Sequence, residues 1–194
     1  MTEWPESMKP AWFEALYASD PDPWRFATSD YEAAKYDDTL VALGERRFAS
    51  AFEVGCSIGV LTARLALRCD RLLAVDVADA ALARARVACA DLPWVSFARM
   101  QVPQDWPEGA FDLILFSEVL YYLGPADIER TAALSVAALA PGGAVLLVHW
   151  TGPTNYPVSG DEAAESFAAA CAGRLRSVTQ ARRAQYRLDL LGSR

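Results

Sequence analysis

The sequence contains little of what metal sites, membrane spans and nucleic-acid surfaces require. It has one histidine, His149, and four cysteines that form neither a C-x-x-C pair nor, with His149, a set of metal ligands. No apolar run approaches the roughly 18 residues that span a membrane, and the amino terminus lacks the basic and apolar regions of a signal peptide. A formal net charge of −7 argues against binding to a nucleic-acid backbone. We therefore expect a cytoplasmic protein with reduced thiols and no metal, acting on a small molecule.

Apolar segments with strand and helix spacing alternate from residue 48 onward. The spacing predicts helices at 58–68, 78–90, 125–140 and 160–172, and strands at 48–54, 71–76, 94–99, 110–117, 143–150, 174–181 and 185–192. Near-continuous apolar runs such as 111–116 are typical of strands buried on both faces. The alternation predicts an α/β, Rossmann-like, doubly wound and mostly parallel seven-stranded sheet. Only a short turn separates the final two strands, so the last strand is expected to be antiparallel.

The first 47 residues have a different composition, with three of the six tryptophans before residue 25. They are expected to form an amino-terminal helical cap, with a helix over 31–45, and residues 48–194 are expected to form the main domain. Two interpretations of the cap stay open. Its aromatic side chains either form a flap over a ligand site or fasten the segment to the edge of the sheet.

A loop of small residues lies between the first predicted strand and the helix that follows it. Its pattern, Glu53-x-Gly55-x-Ser57-x-Gly59, predicts a tight turn at which the backbone can approach a ligand closely. Asp76 ends the next strand at the same edge of the sheet, where a carboxylate can accept hydrogen bonds from two ribose hydroxyls. The sequence therefore predicts a site for a nucleoside-containing cofactor. An ordinary glycine turn, and a helix cap at Asp76, are the alternatives.

Two common nucleotide-binding motifs do not fit this loop. Val60 stands where G-x-G-x-x-G has its third glycine, and the lysine of the phosphate loop is absent. Glu53 disfavours a pyrophosphate and favours an ammonium group, by charge. At this point the chain resembles the class I S-adenosylmethionine-dependent methyltransferases. Their first motif is [ED]-x-G-x-[GSA]-x-G, and their second is an acid at the end of the next strand.

Two further stretches resemble the NodS-like branch of these enzymes. They are Asp22-Pro23-Trp24-Arg25-Phe26 and the S-E-V-L-Y-Y-L sequence of residues 117–123, and the likeness runs from about residue 20 to residue 190. That branch includes the rhizobial nodulation N-methyltransferases, which methylate the free amino group of a de-N-acetylated chitooligosaccharide. The resemblance implies S-adenosyl-L-methionine as cofactor and S-adenosyl-L-homocysteine as product. It also implies an amine or hydroxyl acceptor, such as an amino sugar or oligosaccharide, with N-methylation favoured.

The resemblance also implies which residues bind the cofactor. In chain order they are Arg25, Tyr36, Glu53, Gly55, Cys56, Ser57, Gly59, Asp76, Val77, Met100, Gln101, Ser117 and Glu118. Glu53 is expected to orient the ammonium group and Asp76 the ribose, while Met100 and Gln101 flank adenine. Arg99 stands near the position where the family usually has an acid for the adenine amino group, so Asp105, with Trp106 stacking, is an alternative.

Glu118, Tyr122 and His149 are the expected catalytic residues. An alkylammonium has no lone pair, so an amine acceptor must lose a proton, which Glu118 or His149 can take. His149 ends the fifth strand and is expected to face the cofactor edge, with a structural role as the alternative. The expected acceptor contacts are Tyr121, Trp150 and Tyr156, and of the two adjacent tyrosines one ring is expected in the core and the other in the pocket.

Two other functions are compatible with the sequence. One is a nucleotide-binding oxidoreductase that uses NAD(P), against which the missing G-x-G-x-x-G and the missing Tyr-x-x-x-Lys both argue. The other is a binding protein that retains the cofactor site without turnover. The loop and Asp76 are shared by every methyltransferase of this class, so the acceptor is not defined by them.

Overall fold

A computed structural model describes residues 6–193; residues 1–5 of the predicted cap, with Trp4, and residue 194 lie outside it. The helices α1 to α6 are Pro10–Ser19, Asp30–Ala42, Val60–Ala66, Asp79–Ala88, Pro125–Ala138 and Gly160–Cys171. The strands β1 to β7 are Ala51–Val54, Leu72–Asp76, Val95–Arg99, Phe111–Ser117, Leu139–Trp150, Leu175–Arg182 and Tyr186–Ser193. A short 3-10 turn covers Leu120–Tyr122.

The strands form one seven-stranded sheet in the order β3-β2-β1-β4-β5-β7-β6. The pairs β1/β2, β2/β3 and β4/β5 are parallel, and β7 is antiparallel to both of its neighbours. This confirms the predicted doubly wound sheet with an antiparallel last strand. The chain divides into two compact units, residues 9–101 and residues 6–8 with 102–193. A domain boundary at residue 47 stays a prediction.

The unit of residues 9–101 contains the first three strands and four helices. Strand β1 is buried along its whole length, because helices cover both faces of a parallel sheet. Ser29 caps α2 by accepting a hydrogen bond from the backbone N–H of Glu32. Helix α1 was not located from the sequence. Pro10 at its first position is the signal that was available, since proline is favoured there.

The other unit contains four strands and two helices. Its core includes the tilted ring pair of Phe116 on β4 and Phe167 on α6, whose centroids lie 5.3 Å apart. Helix α6 begins with a capping box, in which Ser159 and Glu162 each accept a hydrogen bond from the other's backbone. This box places the start of α6 directly after the loop that leaves β5.

Two predicted element boundaries were wrong. Strand β1 begins at Ala51 rather than at residue 48, since Phe48 makes only an isolated bridge to Cys69. Strand β5 begins at Leu139 rather than at residue 143, because Leu139 pairs with Phe111 before a register shift. Pro141 and Gly142, which fall between the predicted helix and the predicted strand, therefore lie within an irregular strand.

Within residues 6–193, no helix has the length and apolarity that crossing a bilayer demands. Over the same residues there is no group of three or more histidine, cysteine or acidic side chains arranged to hold a metal ion.

Close packing between α3 and α4 depends on Gly59. Its φ is +83°, and a Cβ atom there would lie 2.9 Å from the Cα of Ala85 on α4. Gly44 is a matched control, since its φ is +62° but a Cβ atom would meet nothing within 4 Å. We expect Gly44→Ala to cost about 1 kcal/mol of folding free energy for backbone strain alone. Gly59→Ala should cost roughly 2 kcal/mol more, from overpacking. If urea unfolding shows the same loss of folding free energy for Gly59→Ala as for Gly44→Ala, the contact with Ala85 adjusts to the new Cβ atom without cost.

Candidate active site

The loop that follows β1 has an unusual backbone. Gly55, Ser57 and Gly59 all lie in the left-handed region, with φ of 77°, 51° and 83°. The N–H groups of Gly55 and Cys56 both donate to the carbonyl of Val75, at 2.8 and 3.0 Å. The loop is thereby fixed beside the end of β2. The predicted tight turn is present, and Ser57 carries the left-handed conformation that is otherwise typical of glycine.

Asp76 is the centre of hydrogen bonding at this turn. Its Oδ2 accepts a hydrogen bond from the Ser57 N–H at 2.9 Å, and its Oδ1 accepts one from the Ala78 N–H at 3.0 Å. Burial raises the pKa of this carboxyl, while the backbone donors, with Ala78 first, oppose that shift. Asp76 thus contacts the backbone of Ala78, the residue directly before α4. The ribose role stays a prediction.

Glu53 is a buried carboxylate, and one of its oxygens accepts no hydrogen bond from the described residues. It lies in β1 with 2 % of its surface exposed, and its Oε2 has no hydrogen-bond partner among the described residues. Burial raises its pKa to about 7, with Thr62 opposing the shift and Asp76 adding to it. Leaving a buried carboxylate oxygen without a donor is costly. A cationic donor at this position would satisfy it.

Helix α1 lies against the same loop through Tyr17. The Tyr17 hydroxyl is hydrogen-bonded to the Ser57 Oγ, and the ring packs with Ile58 and Ala78. Burial, and after it the charge of Asp76, raises the pKa of Tyr17 far above its ordinary value, so the hydroxyl keeps its proton. Tyr17 was missed in the sequence, where it is one of many aromatic residues and α1 was not located. The contact joins the cap to the loop, and both interpretations of the cap stay open.

Of the other expected cofactor residues in this unit, Tyr36 and Cys56 are buried and Arg25 is exposed. Tyr36 is buried on α2, with the Arg64 guanidinium 6.0 Å from its ring. Arg25 is exposed and has a φ of 60°, and its nearest carboxylate is Asp20 at 4.0 Å. Burial raises the pKa of the Cys56 thiol well above its usual range, which leaves it a neutral packing group.

Residues on the adenine side follow β2 and β3. The Val77 carbonyl accepts a hydrogen bond from Arg99 Nε at 3.0 Å, and the Met100 N–H donates to the carbonyl of Asp76 at 3.1 Å. Met100 and Gln101 are both half-buried. Their contact with adenine stays a prediction.

In the unit that contains residues 102–193, Glu118 follows β4 in a left-handed conformation with φ of 57°. Its N–H donates to the Val148 carbonyl at 2.8 Å, which anchors it beside β5. Its Oε2 accepts hydrogen bonds from the Tyr121 hydroxyl at 2.7 Å and from the Trp150 N–H at 2.8 Å. The carboxylate is therefore held in one orientation. Ser117, one residue earlier, is half-buried at the end of the strand.

Three tyrosines, Tyr121, Tyr122 and Tyr156, form an aromatic cluster around Glu118. Tyr156 stacks on Tyr121 at 5.2 Å between ring centroids and meets the edge of Tyr122 at 4.6 Å. The two adjacent tyrosines are both buried, and the division of their rings between core and pocket stays a prediction. Both residues belong to the 3-10 turn, and both of their rings contact the ring of Tyr156. Burial raises the pKa of Tyr121 well above its usual range, with Glu118 adding to the effect, so its hydroxyl remains a donor.

His149 is the second-last residue of β5 and does not face an open cleft. It has 0 % of its surface exposed, and its Nε2 accepts a hydrogen bond from the Leu120 N–H at 3.2 Å. Its ring meets the edge of Tyr121 at 5.6 Å. The Nε2 lone pair is engaged with the backbone, so the expected proton transfer from an acceptor to His149 does not fit this geometry.

A pocket of about 440 Å³ lies in the loop between β5 and α6, here called the loop pocket. Its lining is mainly small, hydroxyl-bearing and proline residues: Thr151, Gly152, Pro153, Thr154, Tyr156, Pro157, Val158, Ser159 and Glu162. Tyr156 belongs to both the pocket and the aromatic cluster. Trp150 is half-buried directly before the pocket. The expected acceptor contacts Tyr121, Trp150 and Tyr156 are thus brought together.

Comparison with known proteins places these features in a family. A family model described as Nodulation protein S (NodS) matches residues 14–148, a range that includes the glycine loop, Asp76 and the tyrosine turn. The chain belongs to the NodS family. It is 37 % identical to Nodulation protein S of Rhizobium tropici over 124 residues, which cover 63 % of this chain and 52 % of the relative. It is also 38 % identical to Nodulation protein S of Bradyrhizobium diazoefficiens over 123 residues, 62 % of this chain and 58 % of that protein. The matches thus span a little over half the length of these relatives.

Solved structures of methyltransferases share the fold. The N-methyltransferase NodS of Bradyrhizobium japonicum WM9, crystallised with S-adenosyl-L-homocysteine, superposes with a TM-score of 0.80 at 25 % identity. The match covers 94 % of this chain and 97 % of that one. A methyltransferase structure from Pseudomonas syringae, described as putative in its own name, matches 84 % of this chain and 98 % of that one with a TM-score of 0.70 and 36 % identity.

Ionisation of Glu53 should make the free protein less stable at high pH. A carboxyl whose folded pKa is about 7, against an ordinary value of 4.5, contributes stability that is complete below pH 4.5 and is lost as the pH rises through 7. The stability of Glu53→Gln relative to the native protein should therefore increase as the pH rises from 4.5 to 8. The rise of the Glu53 pKa from 4.5 to about 7 corresponds to a gain of roughly 3 kcal/mol. Urea unfolding at pH 5 and pH 8 measures this change. Glu45→Gln, at an exposed position, is the control, and its stability relative to the native protein should be the same at both pH values. If the stability of Glu53→Gln relative to the native protein is also the same at both, the raised pKa of Glu53 is wrong.

Proposed function

We propose that this protein is an S-adenosyl-L-methionine-dependent methyltransferase that transfers a methyl group to the amino group of a small acceptor. The observation that carries this proposal is the buried Glu53 Oε2 without a hydrogen-bond partner, on the strand that enters a left-handed glycine loop. The donor has an ammonium group that this oxygen can accept from. Membership of the NodS family supports the same function.

The residues of the first unit fit the donor by chemistry. Glu53 would hold the ammonium, the loop from Gly55 to Gly59 would hold the methionyl tail, and Asp76 would accept from the ribose hydroxyls. Asp76 is already oriented by two backbone N–H donors, so little reordering is required on binding. A pyrophosphate fits poorly here because Glu53 and Asp76 are both acidic and buried. This argues against NAD(P).

The residues of the second unit fit an amine. The Glu118 carboxylate is fixed by Tyr121 and by the Trp150 N–H, and it can attract an ammonium. Tyr156 connects the aromatic cluster to the loop pocket, whose threonines can donate to and accept from a polar acceptor. We propose an amino sugar or oligosaccharide, as the relationship to the nodulation proteins suggests. A net charge of −7 also favours a cationic small molecule over a nucleic acid.

The mechanism requires alignment and the removal of one proton. The sulfonium of the bound donor supplies an electrophilic methyl group. The acceptor nitrogen must lie about 3 Å behind that carbon with its lone pair directed at it. Glu118 would first bind the acceptor as an ammonium and then take its proton, which exposes the lone pair. Tyr122, buried beside Tyr156, is proposed to shape the acceptor site rather than to move protons, because burial raises its pKa well above the usual range.

Substitutions of Asp76 test its proposed role in binding the donor. We expect Asp76→Ala to abolish measurable binding of S-adenosyl-L-homocysteine in calorimetry, because the ribose loses its acceptor and the loop loses its anchor. Asp76→Asn, which keeps one oxygen, should weaken binding at least about tenfold, the equivalent of about 1.4 kcal/mol. Asp79→Asn, a neighbouring exposed acid, is the control. Retained affinity in Asp76→Ala, or preferential binding of NAD to the native protein, would reject the proposal.

A substitution of Glu118 tests its proposed role in removing the proton from the acceptor amine. Glu118→Gln keeps the shape of the side chain but removes its charge, so we expect turnover on amine acceptors to fall by about a hundredfold, in the range typical of general bases. The affinity for S-adenosyl-L-homocysteine should fall far less than turnover, because Glu118 is only one of the expected donor contacts. Transfer of radiolabelled methyl groups to a panel of amino sugars, de-N-acetylated oligosaccharides and phenols measures turnover, with the exposed Glu129→Gln as control. A donor-binding native protein that methylates nothing in the panel would instead indicate a binding protein.

A further inference from the structure

The turn that carries Glu118 and the tyrosines has a backbone donor that its own residues do not satisfy. Leu120 is the first residue of the 3-10 turn and has 0 % of its surface exposed. The first N–H groups of any helical turn lack partners within it, and a buried N–H without an acceptor is costly. The acceptor for Leu120 is the His149 Nε2 at 3.2 Å. A side chain on β5 therefore completes the turn.

His149 is well placed to keep this turn in one position. It lies on β5, where it is paired in register with Arg187 of β7, so its backbone is held by the sheet. Its ring also contacts the Tyr121 ring at 5.6 Å. The next residue, Trp150, donates its N–H to Glu118 Oε2 at 2.8 Å. The end of β5 thus holds the turn at two points, Leu120 and Glu118.

The turn needs this support because its backbone is strained. Glu118 has a φ of 57°, which is unfavourable for a residue with a side chain. Such a conformation persists only when the surrounding contacts over-determine it. Without the Nε2 acceptor, the Leu120 N–H must find another partner, and the turn would shift to reach one.

We propose that His149 is a positioning residue that acts through Leu120 to hold the Glu118 carboxylate and the Tyr121 ring in their active arrangement. This inference rests on the proposed function, since it assigns Glu118 to the acceptor. The role requires an acceptor atom at the place of Nε2 and does not require proton transfer by the imidazole. A hydrogen bond accepted at Nε2 also means that the neutral ring carries its proton on Nδ1.

Two substitutions separate this role from simple core packing. His149→Phe keeps an aromatic ring but removes the acceptor, whereas His149→Gln places an amide oxygen near the position of Nε2. Val145→Ala is the control, since Val145 is fully buried in the same strand and has no part in the site. All three should be less stable than the native protein, which thermal unfolding will measure.

We expect His149→Phe to lower kcat on an amine acceptor at least tenfold, with donor affinity within about twofold of native, because Glu53, the loop of residues 55–59 and Asp76 lie on other elements. His149→Gln should recover most of that kcat, and Val145→Ala should keep native kcat despite its lower stability. A native kcat in His149→Phe would overturn the proposal. So would a kcat in His149→Gln as low as in His149→Phe.

A measurement on the native protein covers the case in which the variants do not fold. Long-range proton–nitrogen correlation spectra of the single histidine identify its protonated nitrogen, and we expect Nδ1. A proton on Nε2 would overturn the proposal. Failure of the proposed function is distinguishable, because it would appear as absence of methyl transfer by the native protein itself.

Discussion

The cofactor half of this structure depends on one buried carboxylate that organises backbone around it. Asp76 receives N–H groups from the glycine loop and from the start of α4, so one side chain joins the ends of β1 and β2 to a helix. Burial opposes its charge, and the two donors partly offset that cost. Because the loop is already left-handed at Gly55, Ser57 and Gly59, the polypeptide around the carboxylate is fixed before any ligand arrives.

A second carboxylate makes this arrangement incomplete without a cation. Glu53 lies near enough to Asp76 for the two charges to raise its pKa further, and its Oε2 has no donor among the described residues. Tyr17 cannot relieve the charge, since its hydroxyl is already bonded to Ser57. A ligand that carries an ammonium group would supply the donor that Glu53 Oε2 lacks. The electrostatics of the free protein therefore favour the same cofactor that family membership suggests, by an independent route.

The sequence predicted the sheet well because buried parallel strands are continuous apolar runs, and small residues and prolines separate them. It could not predict the start of β5, where pairing of Leu139 with Phe111 overrides the turn tendency of Pro141 and Gly142. The glycine loop was recognisable since its spacing reflects backbone geometry. Burial of His149 and the joint packing of Tyr121 and Tyr122 were not, because both depend on contacts with residues 29 or more positions away.

The residues proposed for the donor and those proposed for the acceptor are held by different kinds of contact, and this has a consequence for specificity. On the donor side, the groups that matter are fixed by backbone hydrogen bonds, so substitution there disturbs the loop itself. On the acceptor side, Glu118 and the tyrosines are held by side chains from the end of β5, and the loop pocket is formed by residues outside regular structure. Loop residues can change without disturbing the sheet. Substitutions in the loop pocket of residues 151–162 should therefore cost less stability than substitutions in the loop of residues 55–59.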